Sequence, residues 1–195
     1  FYDDGSTTAN WSGDWSFTNE DFVSPSNSIT DSPFVNYSDN ENADMELNQT
    51  IDLPNATYAY INFWAKWEIE DNWDYVQFQI STDGGSNWDP LCGKYTNYGG
   101  PNQDLDEPLY DGFQTNWVLE EIDLTDYLGM SGLQFRFLLI SDGGVVEDGY
   151  YFDDFSVYTD AIDDSGVDEL TTSDILLYPN PAQNELTIAY DADII

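Results

Sequence analysis

The stretch "GYYFDDFSVY", residues 149–158, holds two adjacent carboxylates, Asp153 and Asp154, inside a run of aromatic and β-branched residues that reads as a β-strand. Strand alternation sends the two to opposite faces, so Asp153 shares its face with Tyr151, Phe155 and Val157. If that face is buried, Asp153 points inward, and an ionised carboxylate is costly to bury unless it is paired or bound to a metal. Hydrogen bonds from backbone N–H groups, or a solvated face, are the two other fates open to it. A second acidic tract, "WEIEDNWDY" at 67–75, holds Glu68, Glu70, Asp71 and Asp74. Paired carboxylates serve as acid and base in glycoside hydrolysis at separations of about 5 Å or about 6.5–9.5 Å. The chain carries 39 Asp and Glu, so close pairs arise by chance and catalysis is not expected from this one. Arg136, the only arginine, is instead expected to pair with one of these acids across a sheet, with Glu70 the preferred partner.

Absent residue types exclude whole chemistries. The 195 residues contain no histidine, which rules out Ser–His–Asp and Cys–His catalysis and histidine-ligated zinc within this chain. Cys92 is the only cysteine, so neither an intrachain disulfide nor a cysteine-rich zinc site can form. Against the 39 acids stand only Lys66, Lys94 and Arg136, a formal net charge of −36. Nucleic acid and anionic membrane surfaces are thereby excluded as partners, since both are gripped by clustered Lys and Arg. So acidic a chain repels itself unless cations or salt screen it, which favours divalent cations or a saline setting. With 41% hydrophobic and 16% aromatic residues, most of its length is expected to fold. The opening at Phe1, with neither a basic n-region nor an apolar h-region, reads as a mature or excised start. No apolar run approaches the ~18 residues of a membrane span, so a soluble protein is expected.

The elements that position these residues are strands. Candidates at 15–18, 27–30, 44–53, 58–69, 75–82, 116–124, 133–141 and 150–158 are separated by Gly, Asn, Asp, Ser and Pro. Val76, Phe78 and Ile80 alternate with Gln77 and Gln79, and Leu133, Phe135, Phe137 and Leu139 with Gln134 and Arg136. No segment keeps a helical period, although "LTDYLGM" suits one short turn. Eight strands with no crossover helices predict an all-β fold, an antiparallel β-sandwich of jelly-roll type, over residues 1–158. Residues 89–114 read as a long loop, the usual seat of recognition on a sandwich. Residues 159–174 read as an acidic linker, and 175–195 as the truncated start of a second small β-domain: a strand, a P-N-P turn and another strand.

Two stretches resemble known families. "LYPNPAQNELTI", 177–188, resembles the start of the C-terminal sorting domain that Bacteroidetes use for type IX secretion. That resemblance implies recognition by the secretion machinery and export across the outer membrane, to a secreted or cell-surface location. Five blocks taken in order, "FYDDGSTTANW", "SNSITDSPFVNY", "INFWAKWEIEDNWDYVQFQISTDGGSNW", "YDGFQTNWVLEEIDL" and "FRFLLISDGGVVEDGYYFDDFSV", resemble the MAM-like jelly-roll domain of immune-inhibitor-A-type peptidases. Similar domains follow the catalytic unit in secreted zinc carboxypeptidases of Bacteroidetes. The resemblance implies a non-catalytic accessory or adhesion module whose partner is an upstream peptidase domain. It also implies a structural Ca2+ linking the first strand to the last, with Asp3 or Asp4, Asp31 and Asp153 as ligands. The chemistry agrees, because Ca2+ takes about 6–8 hard oxygens and an inward Asp needs a cation. The alternative is a carbohydrate-binding module of a polysaccharide-degrading enzyme. In that reading Trp73, Trp88, Tyr95, Tyr98 and Tyr110, at loops or strand ends, stack on sugars, whereas a sandwich with 7 Trp, 14 Tyr and 11 Phe buries most such rings.

Overall fold

A computed structural model describes residues 1–160 and, beyond them, the strands Ile175–Tyr178 and Thr187–Tyr190. In chain order the strands are β1 (Tyr2–Asp3), β2 (Trp11–Gly13), β3 (Ser16–Thr18), β4 (Ser28–Thr30), β5 (Asn42–Leu47), β6 (Ala59–Ile69), β7 (Tyr75–Ser81) and β8 (Asp89–Pro90). There follow β9 (Asn97–Tyr98), β10 (Pro108–Leu109), β11 (Gly112–Asp123), β12 (Gln134–Ile140), β13 (Gly149–Thr159), β14 (Ile175–Tyr178) and β15 (Thr187–Tyr190). A single 3-10 turn, Thr125–Tyr127, falls in the "LTDYLGM" segment. Among the described residues no helix is long and apolar enough to cross a membrane.

Two sheets face each other. The first runs β11-β6-β13-β4-β3, with β1 beside β4 on the same edge of β13, and the second runs β2-β5-β12-β7-β8. Every strand pairing in them is antiparallel. From β5 onward the long strands alternate between sheets, β5, β7 and β12 in the second and β6, β11 and β13 in the first. That alternation is the antiparallel sandwich of jelly-roll type that the strand pattern predicts.

The alternation of side chains explains which faces meet. In β6 every second residue, Ala59, Ile61, Phe63, Ala65, Trp67 and Ile69, is buried, and those between are half-exposed. Phe135, Phe137 and Leu139 of β12 and Val76, Phe78 and Ile80 of β7 supply the opposing layer. Phe137 sits at its centre, stacked on Phe152 with ring centroids 4.3 Å apart and meeting Phe63 edge-on at 5.2 Å. The outer face of β7 is covered as well. Gln77 donates to Asp104 at 3.1 Å and Gln79 to Gln77 at 2.7 Å, so both glutamines are buried and hydrogen-bonded. Their cover comes from the 89–114 segment, which is not one long loop. It carries β8 and the β9–β10 pair, and β11 begins already at Gly112.

The chain divides into two compact units, Phe1–Ala161 and Ile162–Ile195. In the second, β14 and β15 pair antiparallel, Ile175 opposite Tyr190 and Tyr178 opposite Thr187. The anticipated linker from 161 onward and the P-N-P turn lie outside the described residues.

Candidate functional site

Asp153 is wholly buried, but not in the core. Register runs Asp153 opposite Trp64 and then Ser156 opposite Asn62, so two residues, Asp154 and Phe155, stand against one on β6. This is a β-bulge, with Asp154 at φ 51°. The bulge changes which side chains share a face. Tyr150, Phe152, Phe155 and Val157 all enter the core, whereas Tyr151 and Asp153 lie on the outer face of the first sheet. Simple alternation, which joins Asp153 to Phe155, fails at this point.

What covers Asp153 on that outer face is the chain between β3 and β4. Its Oδ2 accepts the N–H groups of Val23 at 2.7 Å and Ser24 at 3.0 Å, and its Oδ1 accepts that of Asp154 at 2.8 Å. Gly5 closes the other side: a Cβ there would stand 2.7 Å from Oδ1. Three backbone N–H donors thus meet the Asp153 carboxylate. Asp154 is half-exposed and accepts the Tyr2 hydroxyl at 2.6 Å.

Among the described residues, no three of the anticipated calcium ligands bring carboxylate oxygens within 4.8 Å of one another. Asp3 is buried, its Oδ1 accepting the Gly5 N–H at 2.8 Å and its Oδ2 the Asn10 amide at 2.5 Å. Asp4 is exposed and bonded to the Ser6 N–H at 3.0 Å, and the Ser6 hydroxyl and N–H hold its carboxyl below the usual range. Asp31 accepts the Tyr150 N–H at 2.6 Å, while its buried Oδ2 has no hydrogen-bond partner. With Thr30 opposite Tyr151 and Ile29 opposite Phe152, Asp31 and Asp153 lie three strand positions apart, about 10 Å at ~3.4 Å per residue. The carboxylates of Asp3 and Asp153 both have hydrogen-bond donors, and Gly5 lies between them, its N–H on Asp3 and its Cα against Asp153.

Burial raises the pKa of Asp31 to about 7 and that of Asp153 to about 6. A carboxyl whose folded pKa exceeds its unfolded value binds more protons when folded, so stability falls as pH rises between the two values. The window for these two residues runs from about pH 4 to about pH 7. Groups with depressed pKa values, such as Asp21 beside Lys66, act in the opposite direction, but below the ordinary carboxylate value. Urea unfolding in metal-free buffer should therefore give a higher midpoint at pH 5 than at pH 7.5. A midpoint that rises steadily from pH 5 to 7.5 would contradict these buried acids.

A further buried carboxylate carries no motif that singles it out in the sequence. Glu120 of β11 is 0% exposed and faces inward with Ile122. It accepts the N–H groups of Lys94 at 2.6 Å, Tyr95 at 3.0 Å and Glu121 at 2.7 Å, and the Tyr110 hydroxyl at 3.0 Å. Gly93 is required beside it, since a Cβ there would lie 2.8 Å from Glu120 Cδ.

Arg136 does not pair with Glu70. On the outer face of β12, between β5 and β7, its Nη1 lies 3.3 Å from Asp44 Oδ2 and its Nε donates to Gln79 Oε1 at 2.8 Å. The guanidinium covers the Trp88 ring, 4.4 Å from its centroid. The register dictates this outcome: Arg136 stands opposite Glu46 and Gln79, and Glu70 follows β6 in the other sheet. The aromatics are dispersed too. Tyr110 is 0% exposed in the core and Tyr95 packs partly against it, so neither offers a face to a sugar. Trp88 is taken by Arg136 on the second sheet. Only Trp73 and Tyr98 are open, at 46% and 71% exposure, on segments that both bond to Asp111 through Asn72 and Asn97.

The fold is an antiparallel β-sandwich with Glu120 turned into its interior. The family model for the immune inhibitor A-like MAM domain matches residues 22–171, and the chain belongs to that family. Among curated proteins it is 25% identical over 114 residues to the pre-pro-metalloprotease PrtV of Vibrio cholerae, covering 58% of this chain but only 12% of that protein. Among solved structures it is similar to the K2 cleaved adhesin domain of Lys-gingipain, a Porphyromonas gingivalis protein, with a TM-score of 0.50, 13% identity and coverage of 81% and 97% of the two chains. A xylan-binding domain of Paenibacillus barcinonensis gives a TM-score of 0.49 at 13% identity, covering 82% of this chain and 92% of that one.

Proposed function

We propose that this chain is a non-catalytic accessory and adhesion module of a secreted bacterial metallopeptidase. The observation that carries the reading is the family match over residues 22–171 in a chain without histidine. A zinc peptidase centre built on histidine needs ligands that this chain does not contain. The match to 12% of a metalloprotease has the proportion of a module within a larger enzyme. The module's role is to hold the parent enzyme to a macromolecular substrate or surface, and the upstream catalytic domain is its partner. The tail motif "LYPNPAQNELTI" supports export across the outer membrane by type IX secretion. A sugar-binding role has less support, because the five candidate aromatics form no common platform. Sequencing the reading frame upstream of Phe1 tests the assignment. A zinc-peptidase motif of histidine and glutamate is expected there, and a glycoside hydrolase domain would overturn it.

A further inference from the structure

Three carboxylates from separate segments meet where the two sheets are joined. Glu70 follows β6, Asp74 precedes β7 and Asp142 lies just past β12, and one oxygen from each falls within 4.8 Å of the other two. Local hydrogen bonds hold them there. Asp74 Oδ1 accepts the Asp142 N–H at 2.7 Å, Asp142 Oδ1 accepts the Gly144 N–H at 2.7 Å, and the Glu70 N–H donates to the Tyr37 hydroxyl at 3.1 Å.

Asp74 is the buried member of the cluster. It is 0% exposed, the Tyr37 hydroxyl interacts with its carboxyl, and its Oδ2, like that of Asp31, has no hydrogen-bond partner of normal geometry. The other wholly buried acids are provided for: Asp153 accepts three N–H donors, and Glu120 three N–H groups and a hydroxyl. A carboxylate oxygen buried beside two further carboxylates is electrostatically unfavourable when ionised, and a cation that joins all three relieves both the burial and the mutual repulsion. The chain's own cations are engaged elsewhere, Lys66 with Asp21, Arg136 with Asp44 and Lys94 over the Tyr95 ring.

We propose that Glu70, Asp74 and Asp142 bind a divalent cation, with Ca2+ the favoured ion. Ca2+ accepts about 6–8 oxygens in flexible geometry and so tolerates carboxylates from three separate segments, whereas Mg2+ demands a near-ideal octahedron and gives up its waters reluctantly. An all-oxygen donor set with no His or Cys disfavours zinc. Glu70 and Asp142 are half-exposed, which leaves room for water to complete the shell. The bound ion joins the β6–β7 turn to the end of β12, fixing the two sheets together at one corner. The site is independent of the role assigned to the parent protein.

The test is calcium titration of the chelator-stripped 195-residue chain, read by calorimetry and by Tb3+ luminescence excited through Tyr37 and Trp73. Saturable Ca2+ binding is expected, with Mg2+ weaker and a melting temperature that rises with Ca2+. Glu70→Gln and Asp142→Asn, each checked for folding by circular dichroism, should weaken Ca2+ at least ten-fold, and Asp4→Asn should leave it unchanged. The two half-exposed positions give two chances of a folded variant. Absence of saturable binding at millimolar Ca2+, or binding that survives both substitutions, would overturn the assignment.

Discussion

Asp153→Ala is expected to destabilise the module by roughly 2–4 kcal/mol, against less than about 1 kcal/mol for Asp154→Ala. Removing the Asp153 carboxylate strands the N–H groups of Val23, Ser24 and Asp154. A stranded donor costs about 1–3 kcal/mol where water cannot reach it. Two effects moderate the total. Val23 is 36% exposed, so water can reach part of this segment, and the charge whose burial raises the Asp153 pKa to about 6 is removed. Asp154 loses one hydrogen bond from an exposed tyrosine and places alanine at a positive φ, both small costs. Urea unfolding at pH 7.5 separates the two variants, and equal midpoints would mean that the 22–24 segment is not anchored by Asp153.

Glu120→Ala has the larger expected effect, on the order of 3–5 kcal/mol, because its four donors are brought into the sandwich interior by the carboxylate itself. The Tyr110 hydroxyl is fully buried, and burial pushes its pKa well above the ordinary value, so it stays a protonated donor without an acceptor. Backbone N–H groups of Lys94 and Tyr95 lose the partner that holds the 93–95 turn against β11. Glutamine does not rescue, since its NH2 group would face N–H donors. For a domain of this size the melting temperature should fall by roughly 6–20 °C. A loss below about 1 kcal/mol would show that the turn is held by other contacts.

These two acids also mark where the sequence was and was not readable. Period-two alternation in "YAYINFWAKWEI", "YVQFQIS" and "LQFRFLLI" is clean, so the core strands and both sheet faces follow from it. The alternation in "YYFDDFSVY" is interrupted by an extra residue, and a bulge leaves no mark in composition, so the face of Asp153 was misassigned. Glu120 was findable, because it stands two residues before the inward Ile122, but an acid at a core position is set aside by any reading that equates inward with apolar. Arg136 found Asp44 because of strand register, which depends on pairing between residues 92 apart in sequence. The Glu70–Asp74–Asp142 cluster was half visible. Glu70 and Asp74 share one acidic tract, but Asp142 enters only when β12 pairs with β7 and brings Ile140 opposite Tyr75.

The most direct test of the accessory role compares the parent protein with a version lacking residues 1–160, assayed on a small soluble peptide and on an insoluble protein substrate. Unchanged turnover of the peptide, reduced activity on the insoluble substrate, and no peptide cleavage by the 195-residue chain alone are expected. Peptide cleavage by the isolated chain, or equal activity of both versions on the insoluble substrate, would contradict that role.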